Sequence, residues 1–185
     1  MLVSGCSKEM TPEGIVRAYI KAQNSHNIDE KMKYFDEETA FIMQGSEMRL
    51  RGEEEIRSMS QYDSVLHTEL IIENLQVDGN TVICEITERN LWLEAAGLPP
   101  LHYDSTLFYI IGDRIRKIVS FPSDSSIQGM MDVLNKFIPW LASTYPYETM
   151  DMMPGGEFEY SAENAERIIA LLNEWRNSLE KRDQP

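Results

Sequence analysis

Apolar side chains recur at helical spacing from Ile15 onward. Ile15, Val16, Tyr19, Ile20 and Ala22 share one side of a helix that Thr11-Pro12-Glu13 opens. Thr can cap, Pro suits the first helical position, and Glu suits the positive end of the helix dipole. Asn24-Ser25-His26-Asn27 breaks the pattern. Ile28 to Phe35 predicts a second short helix with Ile28, Met32 and Phe35 on one side. Thr39 to Met43 reads as a strand, Gly45 and Ser46 as a turn, and Met48 to Leu50 as another short strand. Gly52-Glu53-Glu54-Glu55 starts a third helix with Ile56, Met59 and Leu66 facing inward. Its three glutamates stand in the first turn, where carboxylates favour the dipole, so they read as a solvated helix start rather than a cation site.

From Thr68 the period changes to two. Strands are predicted to begin near Glu69, Thr81, His102 and Arg114, mutually antiparallel. The second runs as far as Leu93. Asp78-Gly79-Asn80 and Gly112-Asp113 supply hairpin turns, and Ala95 to Pro100 separates the middle pair. Helices first and hairpin-linked strands second make an α+β plan, with the helices on one face of a bent sheet. After Pro122, Ser123 to Ser126 can cap a helix that carries Met130, Phe137 and Trp140, and Pro139 should kink or end it. Tyr145 to Tyr160, with two prolines and two glycines, reads as a loop. Ser161 caps a last helix with a stripe of Ala165, Ile168, Leu172, Trp175 and Leu179. The organisation is thus a flexible segment at 1–10, one domain at 11–122, and a helical extension at 123–185. The extension is too short for a core of its own, and its Phe137, Trp140, Leu172 and Trp175 are expected to pack on the domain.

The charge balance narrows the function. In 185 residues, 17 Lys and Arg face 31 Asp and Glu, a net charge of -14. Such a surface repels phosphates and anionic lipid, so neither a nucleic-acid partner nor electrostatic membrane attachment is expected. A hydrophobic share of 42% separates the chain from a disordered acidic tail. The two cysteines are not a disulfide framework. Cys84 falls in a predicted strand and reads as a small core residue. Around Cys6, Val3-Ser4-Gly5-Cys6 resembles the lipobox of bacterial lipoproteins, which implies a start upstream of Met1, a lipid on Cys6 and an extracytoplasmic, membrane-anchored protein. Only Met1 and Leu2 remain of the apolar stretch that such a signal needs. Without an upstream start the segment is a cytoplasmic tail.

Three stretches carry a second resemblance. These are Thr11-Pro12-Glu13-Gly14-Ile15-Val16-Arg17-Ala18-Tyr19, then Asn24-Ser25-His26-Asn27-Ile28-Asp29, then Phe35-Asp36-Glu37-Glu38-Thr39-Ala40; Arg51 to Ile56 follows in order. Residues 11 to about 121 resemble the nuclear transport factor 2-like (NTF2-like) superfamily in its SnoaL-like branch. The resemblance implies a cone: a strongly curved antiparallel sheet around the N-terminal helices, with a pocket inside and homodimers through the outer sheet face. The superfamily holds ketosteroid isomerases, polyketide cyclases, dehydratases and epoxide hydrolases as well as non-catalytic binders, so the fold does not give the function. Of the isomerase machinery, Tyr19 matches the oxyanion-binding tyrosine. Met43 stands at the position of the general base, where a thioether takes no proton. Ser105, beside Asp104, falls at the second donor. Ketosteroid isomerase activity is therefore not expected.

Strict alternation along the strands puts Val82, Cys84, Ile86, Glu88, Asn90 and Trp92 on one face, and Asp104, Thr106, Phe108 and Ile110 on one face of the next strand. Facing each other, these make a mainly apolar cavity with Glu88, Asn90, Trp92 and Asp104 as a polar rim. The expected ligand is a small apolar molecule bound by Tyr19, Glu88, Asn90, Trp92, Asp104, Thr106 and Phe108. The chain reads as a non-enzymatic binding domain. Its alternative is an enzyme of the polyketide cyclase, dehydratase or isomerase type using Asp104 or Glu88 with Tyr19. A third reading is an interaction module working through the sheet face and the last helix. His26, His67 and His102 lack metal-site spacing, and no Gly-rich phosphate loop or nucleophile elbow occurs, so neither metal nor cofactor is expected.

Overall fold

Thr11 caps the first helix: its Oγ1 accepts from the Gly14 amide at 3.1 Å, and α1 runs Pro12–Asn24. The structure, a computed structural model, describes residues 10–46 and 48–182; Cys6 and the lipobox-like tetrad lie outside them. Asn27 caps the short α2, Ile28–Met32. Two short strands follow, β1 Ala40–Met43 and β2 Arg49–Arg51, and then α3, Gly52–Val65. The long strands are β3 Glu69–Asp78, β4 Thr81–Arg89, β5 Leu101–Ile111 and β6 Arg114–Pro122.

The six strands form one curved sheet in the order β2-β1-β6-β5-β4-β3. The four long strands pair antiparallel, as hairpin connections require. β1 joins β6 in parallel, the chain between them passing through β2, α3 and the three long strands β3 to β5. The architecture is α+β, with α1 and α2 packed into the concave side. Ile15, Val16, Phe35, Val82, Phe108 and Ile115 form the centre of that core.

Three sequence expectations are corrected. The strand predicted through Leu93 ends at Arg89, and Leu91–Ala96 is a helix, α4. Asn90 makes the difference: its Oδ1 accepts from the Leu93 amide at 2.9 Å, and Gly97 closes the helix at φ 73°. Pro139 does not end its helix, since α5 spans Asp124–Thr144. Both Pro139 and Asn135, whose carbonyl loses its helical partner, are exposed, so water can replace the missing donor. The segment read as a loop contains α6, Pro146–Met152, and a 3-10 turn at Pro154–Gly156.

The last helix, α7, spans Ala162–Arg182 and packs on α3 and α4. A second core forms there around the buried Tyr62, Phe137, Leu141, Met152, Leu172 and Trp175. Arg176 reaches the Glu94 carbonyl at 3.3 Å. A Cβ at Gly97 would lie 3.0 Å from the Arg176 guanidinium carbon, so the glycine serves both the positive φ and the docking of α7.

Candidate functional site

A cavity of about 450 Å³ opens between the concave face of the sheet and the C-terminal helices. Tyr19 and Phe35 line it from the N-terminal part of the chain, and Ile86, Phe108 and Ile118 from the sheet. Phe137 and Ile138 of α5, Phe158 from the segment before the last helix, and Ile168 of that helix complete the apolar wall. The extension after Pro122 is therefore part of the cavity wall.

Polar groups gather in one region. The Tyr103 hydroxyl donates to Glu88 Oε2 at 2.7 Å, and Asn90 Nδ2 donates to Glu88 Oε1 at 2.7 Å. Asn90 thus caps α4 with its oxygen and holds Glu88 with its nitrogen. The Lys31 ammonium lies 3.6 Å from Asp63 Oδ2, while Gln23 and Thr68 donate to the same carboxylate at 3.4 and 3.5 Å. All of these residues line the cavity.

Burial governs their ionisation. The Glu88 carboxyl is pushed up from 4.5 to about 7, first by desolvation and then by the negative Asp63, against the two hydrogen bonds that hold it down. Desolvation also raises Asp63, with Lys31 pulling partly back. It lowers the Lys31 amine, which Asp63 opposes. The Tyr19 and Tyr103 hydroxyls are raised by burial, so both stay neutral donors. At neutral pH the site holds one carboxyl poised to take or give a proton, beside an ion pair and two phenols. That is a set capable of acid–base chemistry or of orienting a polar ligand group.

Most of the residues singled out from the sequence come together here, and one does not. Tyr19, Glu88, Asn90, Trp92, Thr106 and Phe108 all line the cavity, Trp92 from α4 rather than from a strand. Met43 lines it too. Asp104 is a correction: it is exposed on the outer side and is no part of the cavity. A β-bulge is the cause. Cys84 pairs with Thr106 but Ile86 with Tyr103, and Tyr103 pairs with Pro122 but Ser105 with Phe121, so β5 carries one extra residue against both neighbours. Tyr103 and Thr106 both turn inward, and Asp104 turns out.

Lys31, Asp63 and Tyr103 were missed. For the first two the sequence holds a signal. Lys31 occupies the i+3 place in the stripe Ile28, Met32, Phe35, and Asp63 lies between Met59 and Leu66 on the inward stripe of α3. Charges on apolar stripes of neighbouring helices are candidates for a buried pair. Tyr103 has no such signal, since only the bulge brings it inside.

No protein-family profile matches the chain, and no curated protein matches it in sequence. Solved structures do. An NTF2-like protein of unknown function from Cytophaga hutchinsonii superposes with TM-score 0.53 at 14% identity, over 66% of this chain and 98% of that one. A candidate SnoaL-like polyketide cyclase from Shewanella putrefaciens gives 0.56 at 16%, over 70% and 90%. The epoxide hydrolase/cyclase-like enzyme SalBIII, of pyran ring formation in the polyether salinomycin, gives 0.55 at 14%, over 62% and 92%. The fold of this chain is the NTF2-like cone. At these identities the likeness speaks for the fold alone.

Proposed function

We propose that this protein binds a small, mainly apolar molecule inside the cone, with the ligand's polar end held at Glu88. The cavity itself carries the reading: about 450 Å³, apolar walls, and polar groups converging in one region. The extension supports it, because Phe137 and Phe158 shield the ligand from water on the side the sheet leaves open. The test is binding of Nile red, a neutral apolar fluorophore, and its displacement by naphthalenemethanol, with thermal unfolding followed in parallel. Saturating ligand at 100 times its Kd should add about 2.7 kcal/mol of stability. No displaceable Nile red and no rise in Tm would refute the reading.

One observation favours a second reading, an enzyme of the cyclase, dehydratase or isomerase type. Glu88, poised near 7 and bonded to the Tyr103 hydroxyl, has the properties of a general acid or base, and Tyr19 those of a donor to a developing oxyanion. Turnover that follows a pKa near 7 and is lost in Glu88→Gln would support it. The resemblance at Cys6 supports a lipid anchor, which metabolic labelling with a fatty-acid probe would reveal in the wild type and not in Cys6→Ser. Ile71, Tyr109, Ile111 and Phe121 leave apolar surface on the sheet and support a homodimer through that face, to be measured by sedimentation.

A further inference from the structure

Lys31 is the least ordinary residue of the cavity. It retains 6% of its surface, where lysine is almost always exposed. Its closest charge, Asp63 Oδ2, is 3.6 Å away, beyond hydrogen-bond distance, and the Tyr19 ring centroid is 6.0 Å away. Among the described residues this long contact with Asp63 is the one ion pair of the ammonium. A buried ion pair that serves only stability recovers its desolvation cost by closing up and satisfying every donor. This one turns toward Asp63 only at long range and leaves its other donors facing the cavity.

We propose that the Lys31 amine is a covalent attachment point that forms an imine with a small apolar aldehyde or ketone held in the cavity. The inference rests on the cavity being a ligand site, as argued above. The surroundings select the ligand class. An anionic ligand would meet the carboxylates of Asp63 and Glu88, whereas a neutral carbonyl compound meets a free N–H donor and an apolar wall. Burial lowers the affinity of Lys31 for its proton, which raises the fraction present as nucleophile.

The step balances without a further reagent. The Lys31 nitrogen lone pair adds to the carbonyl carbon, and the C=O π pair moves to oxygen, which takes a proton. The nitrogen gives up a proton, with Glu88 in the same cavity as acceptor. Protonation of the hydroxyl lets it leave as water while the C=N bond forms. The net change is lysine ammonium plus carbonyl to protonated imine plus water, the proton that Lys31 sheds to become the free amine being the first that the carbonyl oxygen takes, and the one held by Glu88 the second. Asp63 then stands as counter-ion to the protonated imine.

The test uses naphthaldehyde with cyanoborohydride, which reduces only what has become an imine, and fragment-ion mapping of the modified chain. Lys33, two residues away and exposed, is the internal reference. Lys31 should be labelled at least about tenfold faster than Lys33, as expected of a desolvated lysine beside a proton carrier. Lys31→Arg, which keeps the charge but has no nucleophilic amine, should lose that label. Labelling of Lys31 no faster than Lys33 overturns the inference, and this comparison needs only the wild-type chain. If naphthalenemethanol still displaces Nile red in that case, the imine falls and the cavity reading stands. If neither labelling nor displacement occurs, both fall.

Discussion

Tyr103 and Glu88 are joined by a 2.7 Å hydrogen bond from hydroxyl to carboxylate across two neighbouring strands. Glu88 lies opposite Leu101, so Tyr103 is its diagonal neighbour, within reach only because β5 bulges at Asp104. This contact ties the register of the sheet to the protonation of the site, and most of the testable consequences pass through it.

Glu88→Gln should remove a pH dependence of stability. The folded-state pKa of Glu88 is raised from 4.5 to about 7. Below the lower value both states hold the proton and Glu88 contributes no slope. Between the two, the unfolded chain releases the proton and the folded chain keeps it, so wild-type stability declines as pH rises. Relative to wild type, the variant should gain on the order of 2–3 kcal/mol between pH 4 and pH 8. Gln can still accept from Asn90 and donate to the Tyr103 oxygen. Urea unfolding of both proteins across that range measures the difference.

Tyr103→Phe should raise the Glu88 pKa further, because the lost bond favours the ionised carboxylate. It should also cost about 1–2 kcal/mol of stability. Carboxyl-carbon NMR titration of Glu88 reads the first effect, and denaturant unfolding the second. An unchanged or lower pKa would refute the contact.

Phe137→Ala should destabilise the full chain by about 3–5 kcal/mol, the usual cost of emptying a buried aromatic site. Phe137 is fully buried, packs on Trp140 and Trp175 with ring centroids at 5.9 and 5.5 Å, and lines the cavity. Nile red affinity should fall together with Tm. A loss below about 0.5 kcal/mol, typical of surface positions, would show that the extension is not part of the folded core.

Asp104→Asn should leave stability within about 0.5 kcal/mol and Nile red binding unchanged, because the side chain is exposed on the outer side of β5. A marked loss of binding would place Asp104 back at the cavity and contradict the bulge.

The α+β plan, the order of the elements apart from α4 and α6, and the antiparallel pairing of the four long strands were legible in the sequence. Their signals are local: the apolar stripe of α1, the period of two from Glu69, and the turns at Gly79 and Gly112. Glu88 and Asn90 were legible as polar positions on a mostly apolar face. At Asn90 two local signals competed, and the strand pattern hid a helix start whose cap and closing glycine were both in view.

The rest was decided in three dimensions. Strict alternation puts Asp104 inside; one extra residue in β5, defined only against β4 and β6, exchanges it for Tyr103. Lys31 and Asp63 lie 32 positions apart and meet because α2 and α3 pack together, so their burial and the shifts it causes belong to no segment of sequence. The same holds for the cavity, which exists because aromatic side chains beyond Phe121 close over a sheet built before it. Hydrophobic periodicity says which side of an element is buried. Register and long-range packing decide what it is buried against, and with it the chemistry of the site.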